Sequence, residues 1–123
     1  MSSRNPHDLS DTMYYRWSEW DKAMHSNNVD YILTSTLRTQ EEQEALYAQG
    51  RTKPGKIVTW TLNSKHLTGD AFDFVIMNNG KCDWSMSQRE MWDTAIELGK
   101  SLGLSQVVDE KGRIKEYAHL QIS

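Results

Sequence analysis

Residues 64–73 read S-K-H-L-T-G-D-A-F-D, with His66 seven positions before Asp73. A neutral imidazole nitrogen and a carboxylate oxygen are both ligands for zinc, and a catalytic zinc takes three protein ligands and leaves the fourth position to water. A close pair of this kind needs a distant partner, and the remaining histidines are His7, His25 and His119. His7 lies in a polar tail and His25 at a helix end, where a partial positive charge suits the dipole, so both read as surface residues. His119 stands beside Leu120 and Ile122, with Glu116 three residues before it. A carboxylate next to an activated water can take its proton and pass it to a leaving amine. Spacing alone leaves a bland alternative of equal weight: a surface Glu116, a His119 satisfied in the core, and a polar turn that only feeds a buried strand. In an ideal strand Glu116 and His119 face opposite ways, so a shared site requires Glu116 in a turn or bulge ahead of the strand.

Arg38 is the third chemical candidate. Its permanent charge can fork onto a carboxylate or a developing oxyanion. The alternative is a surface Arg paired with Glu41 or Glu42.

Several elements must position these groups. Leu9, Met13, Trp17, Trp20 and Met24 recur at steps of four, four, three and four, the stripe of an amphipathic helix capped by Asp8 or Ser10 and ended by Asn27-Asn28. V-D-Y-I-L-T-S-T predicts a strand over Val29 to Thr36. Thr39 and Glu42 form a capping box for a second helix that closes near Gly50. The long connection that follows turns at Pro54-Gly55 and is expected to be extended over Lys56 to Leu62; ordered connections of this length are often functional. A-F-D-F-V-I-M, N-N-G and K-C-D-W predict a hairpin over 71–84. Ser87 and Glu90 suggest another capping box, ahead of a third helix with Trp92, Ala95, Ile96 and Leu102 on one face and Gly103 at its end. Q-V-V-D reads as a short strand, E-K-G-R as a turn, and the last residues as a strand. Helices and antiparallel hairpins without a βαβ rhythm define an α+β chain, a small antiparallel sheet with about three helices packed around it.

A chain of 123 residues fits one domain with its own core, and nothing in residues 1–123 separates off a second one. A net charge of -3 argues against a nucleic-acid footprint or a polybasic membrane patch. The single cysteine, Cys82, excludes an intrachain disulfide and reads as a half-buried strand residue. The polar start lacks the basic and apolar segments of a secretory signal, and no run suits a membrane span. The expectation is synthesis in the cytoplasm, with release by another agent for any substrate beyond the membrane.

S-K-H-L-T-G-D-A-F-D fits S-x-H-x-x-G-x-A-x-D in full, and E-Y-A-H places a carboxylate three residues before a His. Together with T-S-T-L-R-T-Q-E-E-Q-E-A-L-Y-A-Q-G-R-T-K-P-G-K-I-V-T-W-T, they make the chain from about Leu9 onward resemble the zinc-dependent peptidoglycan peptidases. That family includes D-alanyl-D-alanine carboxypeptidases and L-alanyl-D-glutamate endopeptidases, and the similarity is greatest to the endopeptidase branch with its phage endolysins. The resemblance implies a hedgehog/DD-peptidase-like fold in a single catalytic domain without a wall-binding domain, acting as a monomer. It implies Zn²⁺ on His66, Asp73 and His119, Glu116 as general base, and Arg38 as a group that binds substrate or stabilises the oxyanion. Gln43 maps near the substrate pocket, Ser64 to a supporting position and Gly69 to a tight turn. The implied reaction is cleavage between L-Ala and D-Glu of the peptidoglycan stem peptide. Removal of a terminal D-Ala, or zinc binding without catalysis, are the alternatives. Two departures stand out: S-Q-V-V-D-E-K-G-R-I replaces a Trp-Gly-Gly-type segment, and Ala118 replaces the usual Pro or aromatic residue before the last His.

Overall fold

The structure, a computed structural model, describes residues 3–59, 62–107, 111 and 117–122. Glu116 lies outside the described residues, as does the turn expected over 110–113 apart from Lys111. The elements run α1 (Asp11–Ser26), β1 (Asp30–Ser35), α2 (Gln40–Ala48), β2 (Ala71–Asn78), β3 (Lys81–Cys82), α3 (Arg89–Ser101), β4 (Leu104–Ser105) and β5 (His119–Ile122). The strands form one sheet in the order β1-β2-β5-β4, with β3 beside β2, and every pairing is antiparallel. This is the expected α+β architecture.

β2 organises the molecule because its side chains alternate. Phe72, Phe74 and Ile76 are fully buried on one side. There Trp20 of α1 meets Phe72 and Phe74 at 4.9 and 5.1 Å between ring centroids, and Trp92 of α3 meets Phe74 at 5.4 Å. Trp20 also donates its indole N–H to Ala95 O at 2.9 Å, tying α1 to α3. Gly99 lets α3 approach β5, since a Cβ there would stand 2.8 Å from Leu120 Cδ1. Asp73 points the other way.

Local chemistry accounts for most boundaries. Ser10 caps α1 through Met13 N, and Asn28, at φ 58, turns the chain out of it. Thr39 and Glu42 form the capping box of α2. Asn79 and Gly80 both take positive φ, as a two-residue hairpin turn requires. Gly69, at φ +73, has no room for a side chain, because a Cβ would meet Ser10 N at 2.7 Å.

Three expectations need correction. Residues 56–59 form no strand, and 60 and 61 lie outside the described residues. That segment is instead held by side chains: Gln49 donates to Lys56 O at 2.9 Å and Arg51 to Thr59 O at 3.2 Å. A short strand forms at Leu104–Ser105, because buried Leu104 is the residue that pairs with Ile122, while Gln106 and Val107 form none and 108 and 109 lie outside the described residues. No Ser87–Glu90 capping box forms. The helix begins one residue later, after Gln88, which makes no side-chain cap.

Asp83 instead fastens the segment just ahead of the helix. Its carboxylate accepts from Ser87 N (3.1 Å), Ser87 Oγ (2.7 Å), Gln88 N (2.8 Å) and Trp92 Nε1 (3.0 Å). The Gln88 N–H is the largest influence on its acidity. Together with the Ser87 and Trp92 bonds it outweighs burial and holds the carboxyl at about 2. An unfolded Asp titrates near about 4. The stabilisation is therefore complete above about pH 4 and is lost as the pH falls toward about 2. Across that window the urea midpoint of the wild type should drop steeply. Asp83→Ala should start lower and drop less, and equal slopes would show that Asp83 does not anchor the entry to α3.

Candidate metal centre

His66, Asp73 and His119 form the one group among the described residues able to hold a metal ion, with ligand atoms within 4.8 Å of one another. Strand register builds two thirds of it. Asp73 lies directly opposite His119 on β5 and opposite Ser35 on β1, and opposed residues share a face. β1 carries a bulge between Leu33 and Ser35, which brings Ser35 level with Asp73. His66 arrives on a short 3₁₀ turn, Lys65–Thr68, whose first N–H groups are capped by Ser64 Oγ at 3.2 Å from His66 N. Ser64 thus supports His66 from behind.

Each imidazole stands between two acceptors. His66 Nδ1 is 2.7 Å from Thr36 O, and its buried Nε2 lies 3.2 Å from Asp73 Oδ1 without an aligned hydrogen bond. His119 Nε2 is 2.9 Å from Gln121 Oε1, and its Nδ1 is 3.0 Å from Asp73 Oδ1. A backbone carbonyl can only accept, so the proton of neutral His66 is on Nδ1. With the His119 proton on Nε2, two nitrogen lone pairs converge on a carboxylate oxygen. A cation placed between the three atoms would satisfy both lone pairs and the carboxylate at once. Two neutral imidazoles and a carboxylate are a donor set that zinc accepts. Burial alone would raise the Asp73 carboxyl, but the His119 and His66 rings beside it outweigh burial and hold the group well below the usual carboxylate range.

Arg38 is buried, which excludes the surface-pair alternative. It donates from Nη1 to Gln43 Oε1 (2.8 Å) and from Nη2 to Ser35 Oγ (3.1 Å), and Nη2 lies 3.7 Å from Asp73 Oδ2. Its backbone N–H donates to His66 O at 3.0 Å. Gln43 is fully buried and donates to Thr59 Oγ1 at 3.3 Å, so it reaches the site through Arg38. Neither Asp70 nor Cys82 joins the cluster. Asp70 accepts from Ser10 Oγ at 2.6 Å and Thr68 Oγ1 at 2.7 Å, while Cys82 lies by Met77. Ala118, the unusual residue before His119, accepts from Phe74 N at 2.9 Å and so helps fix β5.

The cluster floors a cleft of about 400 Å³, whose walls include Val58, Thr59, Trp84, Tyr117 and Ala118. The long connection after α2 supplies Val58 and Thr59, as its length suggested. Trp84, Tyr117 and Gln121 were not singled out from the sequence. Trp84 follows the hairpin and is 67% exposed, a placement that composition does not signal. For Gln121 the one available signal was its position two residues after His119 on a strand, hence on the same face.

A sequence profile described as phage L-alanyl-D-glutamate peptidase matches residues 16–116, and the chain belongs to that family. Among relatives, the peptidoglycan L-alanyl-D-glutamate endopeptidase CwlK of Bacillus subtilis is 32% identical over 126 aligned positions, covering 95% of this chain and 75% of CwlK. Two solved structures share the fold. The L-Ala D-Glu endopeptidase ChiX of Serratia marcescens matches with a TM-score of 0.68 at 19% identity, over 100% of this chain and 89% of ChiX. The D,D-pentapeptidase VanY of a VanB-type resistance cassette, solved as its E175A mutant in complex with Zn(II), matches with a TM-score of 0.67 at 16% identity, over 93% of this chain and 72% of that one. The expected DD-peptidase-like fold is therefore the one observed.

Replacing Gln43 by Leu should leave the buried Arg38 guanidinium short of an acceptor. Stability in a denaturant titration should fall by roughly 1–3 kcal/mol. A change within error would mean that Gln43 does not hold Arg38.

Proposed function

We propose that this chain hydrolyses the bond between L-Ala and D-Glu in peptidoglycan stem peptides, with zinc held by His66, Asp73 and His119. Membership of the family makes the chain a peptidoglycan hydrolase of the L-alanyl-D-glutamate class. The observation that carries the metal reading is the convergence of His66 Nε2, Asp73 Oδ1 and His119 Nδ1 on the floor of an open cleft. Three ligands and no fourth among the described residues suit a catalytic rather than a structural zinc. All three come from one chain, so a monomer suffices.

When bound there, zinc supplies a Lewis acid and lowers the pKa of water toward about 7. The chain's own residues do the rest. Glu116, assigned from the E-Y-A-H pattern, takes the proton of the attacking water and returns it to the departing amine of D-Glu. Arg38 holds the second oxygen of Asp73 and lines the cleft, so its charge also favours a developing oxyanion. Val58, Trp84 and Tyr117 give the polar floor apolar walls, which suit the methyl group of an alanine beside the scissile bond.

The phage family and the cell-wall relative fit an enzyme that acts on the wall, as an endolysin does. No described helix is long and apolar enough to cross a membrane.

Purified peptidoglycan should clear with the protein, stop clearing with chelator and clear again when Zn²⁺ is restored. Glu116→Ala should keep the metal and lose about 10²–10⁴-fold in turnover. Wild-type turnover in that variant would remove Glu116 from the reaction. Mass spectrometry of digested muropeptides should show stems released from their L-Ala. Loss of a single D-Ala instead would identify a carboxypeptidase and overturn the bond assignment.

A further inference from the structure

We propose that Gln121 is a positioning residue that fixes the tautomer and the aim of His119, an inference that rests on the zinc reading above. His119 and Gln121 are two residues apart on β5, so both side chains leave the same face of the sheet. β5 is an interior strand. Gln121 pairs with Ala71 of β2 on one side and with Ser105 of β4 on the other. The strand end is fastened beyond it: Ile122 N donates to Asp70 O at 3.0 Å, and Lys65 Nζ to Ile122 O at 2.8 Å. The Gln121 side chain therefore starts from a rigid backbone.

Its Oε1 stands 2.9 Å from His119 Nε2. An amide oxygen accepts, so it draws the ring proton to Nε2 and leaves the lone pair on Nδ1, the nitrogen 3.0 Å from Asp73 Oδ1. Thr36 O does the same for His66 through the opposite ring nitrogen. One histidine thus offers Nε2 and the other Nδ1, and each is set by an acceptor on its outer side. Such outer partners orient a ligand and raise its basicity, and losing one typically weakens metal affinity by about 10–100-fold. Thr36 contributes a backbone atom that no substitution removes. Gln121 contributes a side chain, so its part can be tested.

The first experiment is zinc affinity by competition with a chromophoric chelator, on metal-free protein whose thermal unfolding is recorded alongside. Gln121→Leu should bind Zn²⁺ about 10–100-fold more weakly, while Gln121→Glu, which keeps an acceptor, should stay near the wild type. Wild-type affinity in a folded Gln121→Leu protein would overturn the inference. If the wild type itself took no zinc, the zinc reading would fall first, and this one with it. The second experiment needs no variant. Long-range ¹H–¹⁵N spectra of the zinc-loaded wild type should show the His119 proton on Nε2, and a proton on Nδ1 with a bare Nε2 would also overturn it.

Discussion

The site depends on one register. β2 must pair so that Asp73 sits opposite His119 and Ser35, and that pairing is enforced from the other face of the same strand. A slip of one residue would turn Phe72 and Phe74 into the cleft and Asp73 into the apolar layer beneath Trp20 and Trp92. Each large apolar side chain buried there favours the native register by about 1.5–3 kcal/mol. The repulsion among three converging ligands pushes the other way, yet it cannot be relieved by sliding a strand whose opposite side is already filled. Core packing therefore holds the candidate ligands in place from the opposite face of the strand.

Around that strand the polar groups form a second constraint. The segment after β1 does several jobs within a few residues. Ser35 faces Asp73 and accepts from Arg38, Thr36 O takes the His66 proton, and Arg38 N returns a bond to His66 O. Arg38 and Gln43 then link this segment to α2 and to Thr59 in the long connection. A buried polar network of this kind is worth having only when its members are satisfied together. That explains why Gln43, a residue with no exposed surface, belongs in the pattern at all. It also explains why the exposed walls, Val58 and Trp84, are free to be apolar: the charges of the site are already held from below.

Much of this was legible from residue types with narrow physical roles. Thr39 with Glu42 could only be a cap, Asn79-Gly80 only a tight turn, and A-F-D-F only a strand with one polar tooth. His66, Asp73 and His119 are legible as candidates because the polar settings of His7 and His25 set those two aside and the two motifs single out the rest, although spacing alone leaves a core histidine equally open. What was not legible depends on partners distant in sequence or on small choices between equal options. Asp83 anchors the entry to α3 from just after the hairpin, whereas the local Ser-x-x-Glu pattern points to Ser87. The short β4 begins at Leu104 because Ile122 is there to pair with, which no local pattern reports. Gln121 has no charge and no motif; only the shared strand face reveals it. Arg38 was read for its charge, whereas its burial against Gln43 and Ser35 shows how that charge is held.

The metal-free cluster also bears on folding. Asp73 is kept ionised against burial by two rings whose outer nitrogens are already engaged, so a cation between the three would find its donor atoms already aimed. A cation that binds the assembled site and not the unfolded chain stabilises the fold in proportion to the logarithm of its concentration. An ion bound by these three atoms would then make the loaded protein more stable than the metal-free one. The converse follows from the register argument. Because the apolar layer behind β2 already fixes the candidate ligands, the chain without an ion keeps its helix side packed, where Trp20, Phe74 and Trp92 meet.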